Sequence, residues 1–105
     1  MAESTNKAIE LVKKLVEQIE KSQIRIVEAF LFGSYAKGTY NEWSDIDVAL
    51  ISDDFVGNRF LDLKSIAKAT IRTSIDIHPH TFRRDDFNAN NPFVEEILRS
   101  GIKIV

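Results

Sequence analysis

The sequence predicts an α/β (α+β) domain in which helices flank a small mixed β-sheet. Three observations carry that prediction. Apolar residues recur at three- and four-residue intervals from Ile9 to Ile19, short β-branched and aromatic runs follow at 24–32, 43–52 and 73–82, and further helical patterns separate and close them. With 105 residues there is material for one hydrophobic core, so residues 1–105 read as a single domain.

In the first element Ile9, Val12, Leu15, Val16 and Ile19 form one face, while Glu10, Lys13, Lys14, Glu17 and Glu20 occupy the other. That pattern is an amphipathic helix capped near Ser4 or Thr5 and ending near Lys21 or Ser22. Ile24 to Phe32 is β-rich and stops at Gly33, which makes it the first strand, and a short helical turn is expected through Tyr35 to Lys37. Trp43 to Ser52 is the second strand. Phe55, Phe60, Leu61, Leu63, Ile66, Ala67 and Ala69 predict one or two short helices across 53–71, with Gly57 as an irregularity. Thr73 to Phe82 alternates as a third strand, and Pro79, which has no N–H to donate, assigns it to a sheet edge or a strand end. Asn91-Pro92 opens a last helix that Ser100-Gly101 closes, and Ile102 to Val105 is a terminal strand.

Composition excludes several classes of function. Fourteen basic residues against 16 acidic ones leave a net charge of −2, too little positive charge for broad binding to nucleic acid. Without cysteine the chain has no disulfide and no thiolate metal site. Met1 to Lys14 alternates charged and apolar residues, with no continuous apolar segment of signal or membrane type, so a cytoplasmic location away from membranes is the expectation.

The chemistry is concentrated in Gly33-Ser34-Tyr35-Ala36-Lys37-Gly38 and in Ser44-Asp45-Ile46-Asp47, which runs on into the apolar Val48-Ala49-Leu50-Ile51. A small-residue turn lets backbone N–H groups approach phosphate oxygens, and the Ser34 hydroxyl adds to the same cradle. Asp45 and Asp47 are two residues apart, so on a strand both face one side, where two carboxylates can hold Mg²⁺ against phosphates bound by the turn. Taking ~7% for each of Gly33, Ser34, Gly38, Ser44, Asp45 and Asp47, the chance of all six at fixed spacing is on the order of 10⁻⁷.

This arrangement resembles the signature of the nucleotidyltransferase superfamily that includes DNA polymerase β. It is most similar to the minimal nucleotidyltransferases, whose form is Gly-Ser-x-Ala-x-Gly, a short spacer, then Ser-Asp-x-Asp and a hydrophobic strand; every fixed position is present here. A Pro-Phe helix start at Pro92-Phe93 and a Gly-led apolar strand from Gly101 extend the likeness to the end of the chain. The stretch from Phe55 to Arg72 carries no signature.

The resemblance implies a polymerase β-like nucleotidyltransferase fold, and a third metal carboxylate for which Asp76, between Ile75 and Ile77, is the candidate. A carboxylate beside the metal can also help an attacking hydroxyl lose its proton. The implied roles are therefore Gly33, Ser34 and Gly38 on the nucleoside triphosphate, and Asp45, Asp47 and Asp76 on two Mg²⁺ ions. Other neighbours read less specifically. Ser44 is read as bracing Asp45 rather than touching substrate, Lys37 is either solvated or near the triphosphate, and Arg83-Arg84 before Asp85-Asp86 is most simply a solvated turn with local ion pairs, a phosphate or partner contact being the alternative. Tyr35, Tyr40 and Trp43 are candidates for stacking on a base or a partner. His78 and His80 share the face of Asp76, but Mg²⁺ takes oxygen ligands, so they are set apart from the metal set, His80 the more so because it lies beyond Pro79.

Larger relatives carry a helical domain that binds base and acceptor. Here those contacts are expected from a second copy or another protein, and the resemblance implies an all-helical HEPN-domain toxin, silenced by transfer of AMP from ATP to a tyrosine. Two other readings stay open: a non-catalytic antitoxin that neutralises its partner by contact, and transfer to a small molecule such as an aminoglycoside.

Overall fold

The structure, a computed structural model, describes residues 4–105; Met1 to Glu3, the start of the segment read as free of a signal, lie outside the described residues. Helix α1 spans Thr5–Glu20, with the Ser4 hydroxyl accepting from the Lys7 N–H at 3.1 Å as its cap. It buries Val12, Leu15, Val16 and Ile19 of the face foreseen from periodicity, with Ala8 beside them, while Ile9 is only partly buried. Strand β1 is Glu28–Phe32, shorter than the apolar run that predicts it. The residues before it find partners off the ladder: the Arg25 N–H donates to Asp54 Oδ2 at 2.8 Å, and the Arg25 carbonyl accepts from the Ser52 hydroxyl at 2.6 Å.

Strand β2, Ile46–Ile51, also starts later than expected. The Asn41 N–H donates to Ser44 Oγ (2.9 Å) and the Trp43 N–H to Asn41 Oδ1 (2.8 Å), so residues 41–44 form a side-chain-locked turn that leaves Trp43 84% exposed. Ser44 thus braces the approach to Asp45. Between these strands, helix α2 (Ser34–Lys37) is the single turn expected there.

After β2 the chain makes helix α3, Arg59–Ser65, and helix α4, Ala67–Thr73. The buried Asp62 carboxylate accepts from the N–H groups of Val56 (2.9 Å) and Gly57 (3.0 Å), and Gly57 has φ +89°. That clamp keeps 55–58 out of the helix, and Asn58 caps α3 by accepting from the Leu61 N–H at 3.0 Å. Because α4 continues to Thr73 and Ser74 Oγ accepts from the Asp76 N–H, strand β3 is Ile77–Phe82 rather than the longer run from Thr73. A 3₁₀ turn at Arg84–Asp86 follows. Its arginines pair across the fold and not locally as expected: Arg83 donates to the carbonyls of Asp53 and Phe55, and Arg84 meets Asp53 at 2.9 Å. Helix α5, Pro92–Ser100, has Pro92 at its first turn and Asn91 as its cap, and strand β4 is Ile102–Lys103.

The four strands lie in the order β3-β2-β1-β4, with β2 and β3 parallel and the other pairs antiparallel. The sheet is mixed, as the sequence predicts, and Pro79 sits on an edge strand, where its missing N–H breaks no ladder bond on the outer side. Strand β2 is central, and Val48, Ala49, Leu50 and Ile51 are fully buried. One face of the sheet, with Ala29, Leu31, Val48 and Leu50, packs with α1, Ile66 and Ala69. The other carries Phe30, Phe32, Ala49 and Ile51 beneath Ile97 of α5. Among the described residues no helix is long and apolar enough to cross a membrane.

Candidate active site

The site forms where β1 ends and β2 begins. Antiparallel pairing sets Phe32 opposite Asp47, so the turn after Phe32 lies beside the carboxylate that starts β2. Gly33 has φ +76° and ψ −153°, a conformation open to glycine alone, and a Cβ there would lie 2.5 Å from Asp47 Oδ2. Glycine is therefore required twice, by backbone and by neighbour. The Gly33 carbonyl accepts from the N–H groups of Ala36 and Lys37, both at 3.1 Å, which starts α2 immediately after the glycine, with Ser34 as its first residue. Gly38 closes α2 in the left-handed conformation at φ +78°, with nothing within 4 Å of a Cβ placed there. Its requirement is conformational rather than spatial.

Two contacts hold the turn against the rest of the fold. The Thr5 hydroxyl donates to the Tyr35 carbonyl at 2.6 Å, and Lys37 Nζ lies 3.2 Å from Glu96 Oε2 on α5. The Lys37 ammonium, and then the Ser100 hydroxyl, hold the Glu96 carboxyl below its ordinary value. Lys37 is thus engaged with α5. Tyr35 and Tyr40 stack face to face, 4.5 Å apart and 5° from parallel.

Asp47 is 27% exposed in its side chain and is flanked on the β3 side by two histidines. Its Oδ1 lies 3.4 Å from His78 Nδ1 and 3.6 Å from His80 Nε2. Parallel register continues unbroken from Ile46 opposite Ile77 to Ile51 opposite Phe82, so Pro79 does not turn the strand and both imidazoles stay on the Asp47 face. His78 is half exposed, whereas His80 is only 14% exposed and packs edge-on to Phe32 at 5.1 Å and against Phe93 at 5.5 Å. Burial first, and then the neighbouring His78, push the His80 pKa below its usual 6.5, against the opposing pull of Asp47.

Asp45 and Asp76 stand just before β2 and β3, joined through the main chain by the Ile46 N–H donating to the Asp76 carbonyl at 2.9 Å. Both side chains are exposed. Asp76 is exposed although two isoleucines flank it: Ile77 is buried, but Ile75 is 87% exposed. Among the described residues the one group of three ligating side chains whose donor atoms all lie within 4.8 Å is Asp47, His78 and His80. The sequence signal for the two histidines was their two-residue spacing on the Asp76 strand, set aside because Mg²⁺ prefers oxygen. The donor set fits a divalent cation, with a partly buried Asp47 carboxylate at its centre and a buried His80 Nε2 that has no hydrogen-bond partner, while Asp45 and Asp76 stand outside that group at the strand starts.

The family profile described as "Nucleotidyltransferase domain" matches residues 9–104, nearly the whole chain. The chain belongs to the nucleotidyltransferase domain family. It is a nucleotidyltransferase. A Methanocaldococcus jannaschii protein named "Putative protein adenylyltransferase" is 24% identical over 99 residues, covering 91% of this chain and 97% of its own length. A second protein of that name and organism is 44% identical over 43 residues, 40% of this chain and 43% of the other. Among solved structures, this nucleotidyltransferase resembles a crystal structure described as a putative nucleotidyltransferase from Sulfolobus solfataricus, with a TM-score of 0.69, 19% identity, and 96% of this chain and 82% of the other covered. A toxin–antitoxin crystal structure with AMP-PNP gives a TM-score of 0.64 at 19% identity, over 89% of this chain and 71% of that one. A mutant of the toxin–antitoxin pair MntA-HpeT gives 0.56 at 19% identity, over 97% and 73%. At that identity the structural likenesses establish the nucleotidyltransferase fold.

Proposed function

We propose that this nucleotidyltransferase uses Mg²⁺ to transfer AMP from ATP to a tyrosine hydroxyl of a HEPN-type toxin partner, and so acts as an antitoxin. The observation that carries the reading is the close approach of Gly33 to Asp47, which supports the turn as a phosphate cradle beside Asp47 as a metal ligand. The protein adenylyltransferase names of its relatives and the toxin–antitoxin neighbours support AMP and a protein acceptor.

In this reading Ser34 and the backbone at Gly33 bind the β- and γ-phosphates, and Gly38 ends the turn without a side chain in the path of substrate. Asp45, Asp47 and Asp76 would hold two Mg²⁺ ions, which when bound would supply positive charge to the triphosphate and to the attacking oxygen. Asp76 accepts the proton from the tyrosine hydroxyl. The hydroxyl oxygen bonds to the α-phosphorus, the bond from that phosphorus to the bridging oxygen breaks, and pyrophosphate leaves. Little covalent work is asked of the protein, because positioning and charge stabilisation dominate such transfers.

The test is mass spectrometry of the chain with ATP, Mg²⁺ and a HEPN-fold candidate partner, beside Asp45→Ala/Asp47→Ala. An AMP-sized gain on the partner with wild type alone is the expected result. A second reading, neutralisation by contact, draws on the exposed apolar Phe60, Leu61 and Ile71 of α3 and α4. Tight complex formation without any mass gain, unaffected by the double substitution, would decide for it.

A further inference from the structure

The geometry points to a transition-metal site formed by Asp47 Oδ1, His78 Nδ1 and His80 Nε2, one that takes Mn²⁺, Co²⁺ or Zn²⁺ in preference to Mg²⁺. It deepens the nucleotidyl-transfer reading, on which it rests for the use of Asp47. The distances suit a shared ion. The carboxylate oxygen lies 3.4 Å from one imidazole nitrogen and 3.6 Å from the other, and all three donors lie within 4.8 Å of one another. A cation with bonds of about 2.0–2.2 Å holds tetrahedral ligands roughly 3.3–3.6 Å apart. The same distances are too long for good hydrogen bonds, so direct pairing does not account for the cluster.

His80 gives an independent reason. Its Nε2 is shielded from solvent and has no hydrogen-bond partner, an arrangement that native proteins seldom leave uncompensated. The ring cannot easily turn away, because Phe32 and Phe93 pack against it and the parallel register with β2 fixes its strand. An ion seated against Asp47 Oδ1 would satisfy that nitrogen where it already points. The two oxygens of Asp47 then serve different neighbours: Oδ2 lies against the Gly33 turn, and Oδ1 faces the histidines.

Ligand type selects the metal. Two imidazoles and one carboxylate suit Mn²⁺, Co²⁺ and Zn²⁺, whereas Mg²⁺ demands oxygen donors. Three protein ligands leave positions open, so a phosphate oxygen or water can complete the shell. The half-exposed His78 leaves a solvent route to the ion.

The test uses the full chain, stripped of metal by chelation and free of nucleotide. Co²⁺ is titrated and followed by visible absorption, Mn²⁺ is examined by pulsed electron paramagnetic resonance for coupling to imidazole nitrogen, and Mg²⁺ is titrated by calorimetry. Wild type is expected to bind one Co²⁺ at least ~10-fold more tightly than Mg²⁺ and to show nitrogen coupling. His78→Gln and His80→Gln are each expected to weaken Co²⁺ by ~10–100-fold while shifting Mg²⁺ by no more than about twofold. Because His80 packs in an aromatic cluster, the half-exposed His78→Gln carries the test if His80→Gln fails to fold. Absence of nitrogen coupling, or Co²⁺ affinity unchanged in His78→Gln, overturns the site. Transfer in the mass assay with Co²⁺ binding that ignores the histidines overturns only this inference, and histidine-dependent Co²⁺ binding without transfer overturns only the functional reading.

Discussion

Gly33 and Asp47 occupy each other's space: a Cβ on Gly33 would stand 2.5 Å from Asp47 Oδ2, closer than non-bonded atoms approach. The turn and the carboxylate strand are thus a single unit, built where β1 hands over to β2.

Gly33→Ala is expected to abolish transfer and to cost about 1–3 kcal/mol of stability, since alanine is strained at φ +76°, ψ −153° and must also displace Asp47. Gly38→Asn, in open space and in a left-handed conformation that asparagine tolerates, should keep the wild-type melting temperature within a few degrees. Thermal unfolding beside the mass assay separates the two. Equal losses at both glycines would refute the distinction between conformational and spatial need.

Asp47→Asn keeps the shape of the side chain and removes its charge. Transfer should fall by more than the ~10–100-fold typical of residues that only support a metal ligand, with the circular dichroism spectrum unchanged. A drop smaller than tenfold in steady-state transfer would take Asp47 out of the metal set.

The Lys37 and Glu96 pair links the phosphate turn to α5. Because the folded Glu96 carboxyl is depressed, its contribution to stability is present above its unfolded value and disappears as pH falls through the lower folded value. Lys37→Ala removes the largest cause, so the Glu96 titration followed by carbon-detected nuclear magnetic resonance should move up towards the ordinary 4.5. An unmoved titration would mean that Ser100 and Arg99 set it without Lys37.

Asp62 holds the loop before α3 through the N–H groups of Val56 and Gly57. Asp62→Ala orphans both donors at ~1–3 kcal/mol each, and denaturant unfolding should show a lower midpoint with little change in slope. A midpoint equal to wild type would show that water or a neighbouring group takes over both bonds.

Local pattern announced much of this molecule. The spacing of Val12, Leu15, Val16 and Ile19 foretold the buried face of α1, and Asn91-Pro92 foretold the start of α5, because both signals are contained within a turn or two of chain. Strand ends were less legible. Ile24 to Ile26 has strand composition but is held by Asp54 and Ser52, far along the chain, and Thr73 belongs to a helix although it is β-branched, with its hydroxyl bonded back to Ala69. Side-chain hydrogen bonds between distant residues leave no periodic trace.

The sequence by itself determined a mixed α/β fold and the Gly-Ser turn ahead of Asp45 and Asp47, because these depend on periodicity, backbone freedom and short spacing. Only the tertiary structure decided which donors surround Asp47. The parallel register of β2 with β3 carried His78 and His80 to it across the sheet and left Asp45 and Asp76 exposed at the strand starts. Register is a relation between strands some 30 residues apart, set by which faces the helices bury, and no local pattern in either strand encodes it.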